Sequence, residues 1–189
     1  MKRIFLLLLS ASLAGCAAMA KVEPGEHVVG DRLVIELQGP WNQFNQGVDV
    51  PTWTVEGFTV DRLQFFIAIK DGEPIAKRPH GEAQQRPLTF HASMKAHEVV
   101  ALFEGLYTQD GSTFTLERID PITFLGVPGF KYSYTQIRRA DDVRLAGVGY
   151  GAIRNGELTL INYSAPRLGF FPRYQVQIEQ MALSARLVG

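Results

Sequence analysis

Asn155-Gly156 sits between two β-rich runs, Arg144 to Ile153 and Glu157 to Tyr163. A two-residue Asn-Gly loop suits the right-handed twist of paired strands because both residues tolerate positive φ. The dipeptide therefore predicts that residues 144–153 and 157–163 pair as an antiparallel hairpin. The first run contains Gly147-Val148-Gly149-Tyr150-Gly151-Ala152, which has the look of a glycine-rich phosphate loop. A dinucleotide fingerprint needs a strand, a glycine turn and then a helix, whereas here the β pattern continues into the hairpin. These glycines are read as room for close packing by a helix or an aromatic ring.

The rest of the chain extends the same pattern. Leu33 to Leu37 is β-rich and stops at Gly39-Pro40. Asn42 to Pro51 is polar and reads as a loop, with Trp41 and Phe44 available to cover the edge of the core. Trp53 to Val55, a Gly57 turn and Leu63 to Ile69 suggest a hairpin leading into a buried strand that ends at Asp71-Gly72. Residues 73–89, with three prolines and several charges, read as a long exposed loop. Val99, Leu102, Phe103 and Leu106 recur at helical spacing and predict a helix over Ala96–Thr108, stopped by Asp110-Gly111. Strands are expected over Thr113–Arg118 and Phe130–Ile137, the second fed by a turn at Gly126-Val127-Pro128-Gly129. A closing helix from Pro172 carries Tyr174, Ile178, Met181, Ala182 and Ala185 on one face. Strands, helix, four strands, helix predict an α+β fold: a central antiparallel sheet sandwiched between helices.

At the other end, Lys2 and Arg3 precede the apolar run Ile4 to Leu9, the layout of a secretory signal peptide and too short to span a bilayer. Leu13-Ala14-Gly15-Cys16 then resembles the lipobox of bacterial lipoproteins. That resemblance implies a diacylglyceryl group on the Cys16 thiol, cleavage before Cys16 and acylation of the new amine. Cys16 is the single cysteine, so a lipidated chain has no thiol nucleophile and no internal disulfide. Multiple acyl chains hold a protein stably on a membrane where one binds only marginally. Ala17, rather than Asp, after the cysteine implies sorting to the periplasmic face of the outer membrane in a host with two membranes. The expected organisation is a signal peptide at 1–15, a lipidated tether at 16–30 and a single domain at 31–189.

Removing residues 1–15 from 189 leaves 174, enough for one well-cored domain. Lys2 and Arg3 leave too, so Lys+Arg falls from 19 to 17 against 19 acids. No Lys/Arg cluster of nucleic-acid type remains, and no nucleic-acid partner is expected. No Walker lysine or Gly-x-Ser-x-Gly elbow is present. His27, His80, His91 and His97 include no His-x-x-x-His pair, and neither a metal site nor a cofactor is expected. Asp141-Asp142 reads as solvated turn charge. Glu98, Glu117 and Asp120 could act as an acid/base pair only through tertiary contacts. No catalytic residue is assigned.

The stretch Ser164 to Tyr174 joins the last strand to the last helix. Its Arg167, Phe170, Phe171, Arg173 and Tyr174 are the residue types enriched at interaction hot spots, and they form the candidate partner contact. The alternative is that Phe170, Phe171 and Tyr174 seat the helix on the sheet. One ring is expected to be buried and the other partly exposed.

Several features resemble the PsbP-like superfamily: the Gly126-Val-Pro-Gly129 turn before a Tyr-bearing strand, Gly147 to Ile153, Asn155 to Leu160, and a closing helix ending Ala182-Leu-Ser184-Ala-Arg. The resemblance covers roughly residues 112–187. It implies a central antiparallel sheet between helices and binding or assembly work rather than catalysis, and it carries over no residue-level site. The functional expectation is a non-enzymatic, lipid-anchored cell-envelope protein that binds or stabilises other envelope components. A small-molecule or lipid-binding envelope module is the alternative, its apolar cleft beneath the 73–89 loop or the Phe170-Phe171 turn. A hydrolase with a site assembled from scattered residues is the third reading.

Overall fold

The computed structural model describes residues 19–44, 48–77 and 87–188. The expected signal peptide, Cys16, Ala17, His80 and the middle of the 73–89 loop lie outside the described residues. In chain order the elements are β1 (Met19–Val22), β2 (Gly25–Val29), β3 (Leu33–Leu37), β4 (Trp41–Phe44), β5 (Thr52–Thr54), β6 (Arg62–Ile69) and α1 (Ala96–Thr108). They continue with β7 (Thr113–Phe124), β8 (Val127–Ile137), β9 (Arg144–Arg154), β10 (Glu157–Pro166), α2 (Phe170–Ser184) and β11 (Arg186–Leu187). Eight strands form one antiparallel sheet in the order β1-β4-β5-β6-β10-β9-β8-β7, and β11-β3-β2 form a second.

The Asn-Gly hairpin forms as expected. Arg154 faces Glu157, and Asn155 and Gly156 take φ of 53° and 80°. α1 spans the residues its periodicity marks; the Glu98 carboxylate accepts the Lys95 backbone N–H at 2.7 Å, and Gly111, at φ 85°, follows its end. α2 starts two residues before Pro172, which occupies its first turn, where no helical partner for an N–H is needed.

Three local expectations are corrected. The turn before β8 is Leu125-Gly126, and Val127–Gly129 already belong to the strand, facing Ile122–Phe124. β7 runs on through Pro121 because it is an edge strand, whose outward backbone needs no donor. Asn42 to Phe44, expected within the loop, instead form strand β4 with Trp41, paired with β1 and β5. The 73–89 segment is pinned at both ends: the Ile75 N–H donates to the Leu88 carbonyl at 2.9 Å, and Ile75 is buried.

The tether boundary also moves. Met19–Val22 and Gly25–Val29 lie within 16–30 but are strands in the two sheets, so ordered pairing begins well before residue 31.

Side chains along β10 alternate between two cores. Leu158 and Leu160 join Phe66, Phe130, Tyr132, Tyr134 and the α1 residues Val99, Val100 and Phe103. Ile161, Tyr163 and Ala165 join Trp41, Trp53, Phe65, Tyr150 and the α2 residues Ile178, Met181 and Ala182. That second cluster also takes Val29, Leu33, Ile35 and Leu37 from the smaller sheet. The chain is thus mostly antiparallel sheet with two helices. A sheet simply sandwiched between helices is not what it builds, because β2 and β3 share the α2 side.

Candidate functional site

The turn after β5 sets up both places where chemistry gathers. Asp61 is fully buried and accepts from Thr54 Oγ1 at 2.5 Å, the Val55 N–H at 3.0 Å and the Glu56 N–H at 2.8 Å. Thr54 Oγ1 in turn accepts the Gly57 N–H at 2.9 Å. A buried carboxylate with this many donors fixes the loop around it. The loop presents Glu56 toward α2 and carries Phe58, Thr59 and Arg62 to a cleft near the end of α1.

On the α2 side, the structure brings the sequence-marked residues together. Phe171 stacks on Tyr163, centroids 5.9 Å apart, and Tyr174 packs at 6.4 Å from Trp41. The Tyr174 hydroxyl donates to the Glu56 carboxylate, Arg173 Nη1 pairs with Glu56 Oε1 at 3.0 Å, and the Arg173 guanidinium lies 5.5 Å from the Phe170 ring centroid. Burial, then the bond to Glu56, raises the Tyr174 pKa. Arg167 is exposed and uses its backbone N–H on the Arg144 carbonyl at 2.9 Å. Phe170 and Phe171 are both half-buried against the α2-side core, rather than one buried and one partly exposed. Both rings therefore help seat the helix, and both keep some open surface. Leu168, between them and Arg167, is 86 % exposed.

The glycines of β9 serve rings from β8. A Cβ on Gly147 would lie 2.0 Å from Tyr134 Cζ, one on Gly149 2.0 Å from Tyr132 Cε1, and one on Gly151 2.6 Å from Phe130 Cζ. Three aromatic side chains of one strand lie flat across the next, which only glycine permits. Close packing by aromatic rings is thus the role of this run. Beyond it, the Tyr132 hydroxyl donates to Asn162 Oδ1 at 3.0 Å, and Asn162 Nδ2 donates to the Tyr134 hydroxyl at 3.0 Å.

The α1-side face turns from apolar to polar along its strands. Phe66 gives way to Gln64 and Arg62 on β6, Leu160 to Asn162 and Ser164 on β10, and Tyr134 to Gln136 on β8. Ser164 faces Arg62 and Asn162 faces Gln64 across the strands. At the polar end lies a cleft of about 210 Å³ whose walls include Arg62, Gln64, Tyr107, Gln136, Arg138 and Ser164. The Tyr107 hydroxyl donates to Gln64 Oε1 at 3.1 Å, and Gln136 Nε2 donates to the Tyr107 carbonyl at 2.9 Å. Arg138 is clamped by both Asp141 oxygens, at 2.8 Å and 2.6 Å, and by the Thr59 carbonyl at 2.6 Å. Asp141 thus orients an arginine instead of merely being solvated.

Arg62 differs. Its Nε donates to the Phe58 carbonyl at 3.0 Å and its Cζ sits 4.2 Å from the Phe58 ring centroid. Burial, then the nearby Arg138, lowers its pKa, although a guanidinium stays charged throughout the physiological range. Asp110 also reaches the cleft. Burial pushes its pKa up, but hydrogen bonds with Ser112 and the Arg62 charge outweigh this and hold it below the usual carboxylate range.

The cleft is not legible in the sequence because its residues are scattered over five elements and the loops beside them. A readable signal existed in Arg62-Leu63-Gln64-Phe65, where a charge and an amide take the alternate positions of a buried strand. Among the described residues, no three His, Cys, Asp or Glu side chains converge on a metal-sized point. Glu117 accepts the Thr135 hydroxyl and Asp120 pairs with Arg118 at 2.5 Å, both at the β7 edge, while Glu98 caps α1, so these acids do not meet. A more apolar cleft of about 260 Å³ opens beside Ile75, lined by Val50, Pro51, Ile67 and Ile69 among others.

No protein-family model matches this chain, and no curated protein matches it. Among solved structures, the solution structure of cyanobacterial PsbP (CyanoP) from Synechocystis sp. PCC 6803 matches with a TM-score of 0.58 at 13 % identity, covering 96 % of this chain and 99 % of that one. LpqN, involved in cell envelope biogenesis of Mycobacterium tuberculosis, matches with a TM-score of 0.39 at 9 % identity, over 90 % of this chain and 92 % of that one. The CyanoP likeness shows that the chain has a PsbP-like fold.

Proposed function

We propose that this chain is a non-enzymatic protein of the cell envelope, held at the membrane by lipid on Cys16, that binds or stabilises another envelope component through the start of α2. The fold supports this only as a scaffold, since one fold hosts many functions. The observation that carries it is the surface at residues 167–174. Leu168 is 86 % exposed beside the half-buried Phe170 and Phe171, with the Arg173 guanidinium 5.5 Å from the Phe170 ring. A rigid helix start that offers rings and guanidinium together is suited to a protein partner.

Two measurements test the reading separately. Mass spectrometry of the mature chain is expected to find diacylglyceryl on Cys16, and Cys16→Ser should abolish it. An unmodified Cys16 inside a chain that starts elsewhere removes the anchor. Photo-crosslinking from position 168 in cells should give one dominant adduct, lost in Phe170→Ala with a loss of stability well short of that of a fully buried ring. If Phe170→Ala instead destabilises by the roughly 3–5 kcal/mol of a core phenylalanine, the ring belongs to the core and the contact is refuted.

The cleft of about 260 Å³ beside Ile75 favours a second reading, a lipid- or small-molecule-binding module. Its size is close to the roughly 300 Å³ lower end of ligand pockets. Apolar ligand that copurifies with the protein and is displaced by Ile67→Trp would favour it.

A further inference from the structure

Arg62 is a half-buried cation that shares its cleft with the Asp110 carboxylate but is held by no ion pair among the described residues. Among the described residues its Nε alone has a hydrogen-bond partner, a neutral carbonyl, and no carboxylate forms an ion pair with it. The neighbouring Arg138 is already engaged by Asp141 and the Thr59 carbonyl, and Asp110 receives the Ser112 N–H at 2.9 Å. The planar terminal fork of Arg62 therefore has no partner among the described residues, and such a fork matches the paired oxygens of an oxyanion. A cation removed from water without a partner is costly, so an anion that settles it gains more than it would at the open surface. Ser164, directly across the strands from Arg62, and Gln64, two residues along the same face, add a neutral hydroxyl and amide. Gln64 Oε1 accepts from Tyr107, which leaves its NH₂ group for a ligand.

We propose that this cleft binds a phosphate group, gripped by the Arg62 guanidinium with Gln64 and Ser164 as neutral donors. At about 210 Å³ it admits a head group and little more. Its place in the fold bears on the source of that phosphate. Phe58, which supports Arg62, packs 4.6 Å from Phe44, and Phe44 pairs with Met19 at the start of β1. Met19 is three residues from Cys16, a span of at most about 11 Å. If Cys16 carries lipid, as the proposed function holds, the cleft lies at the membrane-facing end of the domain and a phospholipid head group is the phosphate it meets. Without the anchor, the same chemistry takes free phosphate.

The test is calorimetric titration of the full chain with inorganic phosphate at constant ionic strength, first in non-ionic detergent. Saturable binding is expected, weakened at least ten-fold in Arg62→Gln. Gln64→Glu, which places a negative charge in the cleft while leaving Arg62 to fold as before, should weaken it similarly. Absence of saturable binding by the wild type overturns the proposal, as does affinity unchanged in a folded variant. A second arm repeats the titration in vesicles of phosphatidylglycerol. Loss of phosphate binding there assigns the cleft to the head group; its persistence assigns the cleft to free phosphate, and either supports a phosphate site. The detergent arm does not require lipid on Cys16, so its failure leaves the anchor standing, and mass spectrometry of Cys16 decides the anchor alone.

Discussion

Asn162 is fully buried, yet both ends of its amide are matched, the oxygen by the Tyr132 hydroxyl and the nitrogen by Tyr134. A polar group in the middle of a sheet face is tolerated only when satisfied in this way. The trio stands where the α1-side core ends and the Arg62 cleft begins, and it carries a pH signature. Burial holds the Tyr134 pKa up at about 12, against 10.0 for the free side chain, and pushes Tyr132 well above its ordinary value too. A raised pKa means that the folded chain keeps protons that the unfolded chain gives up. Stability from this source is therefore complete below about pH 10 and falls as pH climbs toward 12, by about 1.4 kcal/mol per unit for each such tyrosine. Urea unfolding followed from pH 8 to 12 should show a plateau and then this decline, shallower in Tyr134→Phe. A flat profile through pH 12 would refute the burial argument.

Within the β8–β9 pair, sequence and tertiary packing contribute different information. The run Gly147–Ala152 is legible as a strand from its continuity with Asn155-Gly156, because turn chemistry is local. That rings would cover it is also legible; that they are Phe130, Tyr132 and Tyr134 is not, since the pairing register depends on contacts between separate strands. The same limit hid the cleft, assembled from Arg62, Gln136 and Ser164 on three strands and Tyr107 on α1. It also misplaced the turn before β8, where Pro121 and Pro128 are strand breakers by composition but harmless at an edge and beyond the β9 pairing. Gly149→Ala tests the packing directly. Its new Cβ would meet the Tyr132 ring at 2.0 Å, too close for any rotamer to absorb without moving the ring off Asn162. The expected loss is about 1–3 kcal/mol by chemical denaturation. Combined with Tyr132→Leu, the two losses should not add, because the clash goes with the ring. Full additivity would mean that the ring and the glycine are independent.

For the molecule as a whole, the decisive boundary is where folding begins. Composition marks residues 16–30 as tether, because small, polar and Pro/Gly-bearing stretches usually connect rather than pair. Long-range pairing overrides that tendency. β2 lies antiparallel along β3 from Gly25↔Leu37 to Val29↔Leu33, and among the described residues β3 has on its other side only the two residues of β11. Val29 is 4 % exposed, Val22 is 8 % exposed, and the His27 ring meets Trp53 edge-on at 6.3 Å. A chain started at residue 31 would therefore lose the end strand β1 of the large sheet and leave β3 paired only to β11. It would also strip cover from Leu33, Ile35 and Trp53, all of which are buried in the intact chain. Each aliphatic side chain so exposed costs about 1.5–3 kcal/mol, and two or three of them match much of the roughly 5–15 kcal/mol that holds a domain together. The expected result is that a chain beginning at residue 19 unfolds cooperatively near the melting temperature of the full protein. One beginning at residue 31 should bind hydrophobic dye and lose its cooperative transition. Equal melting temperatures for the two would show that β1 and β2 are appendages and that the domain does start where composition places it.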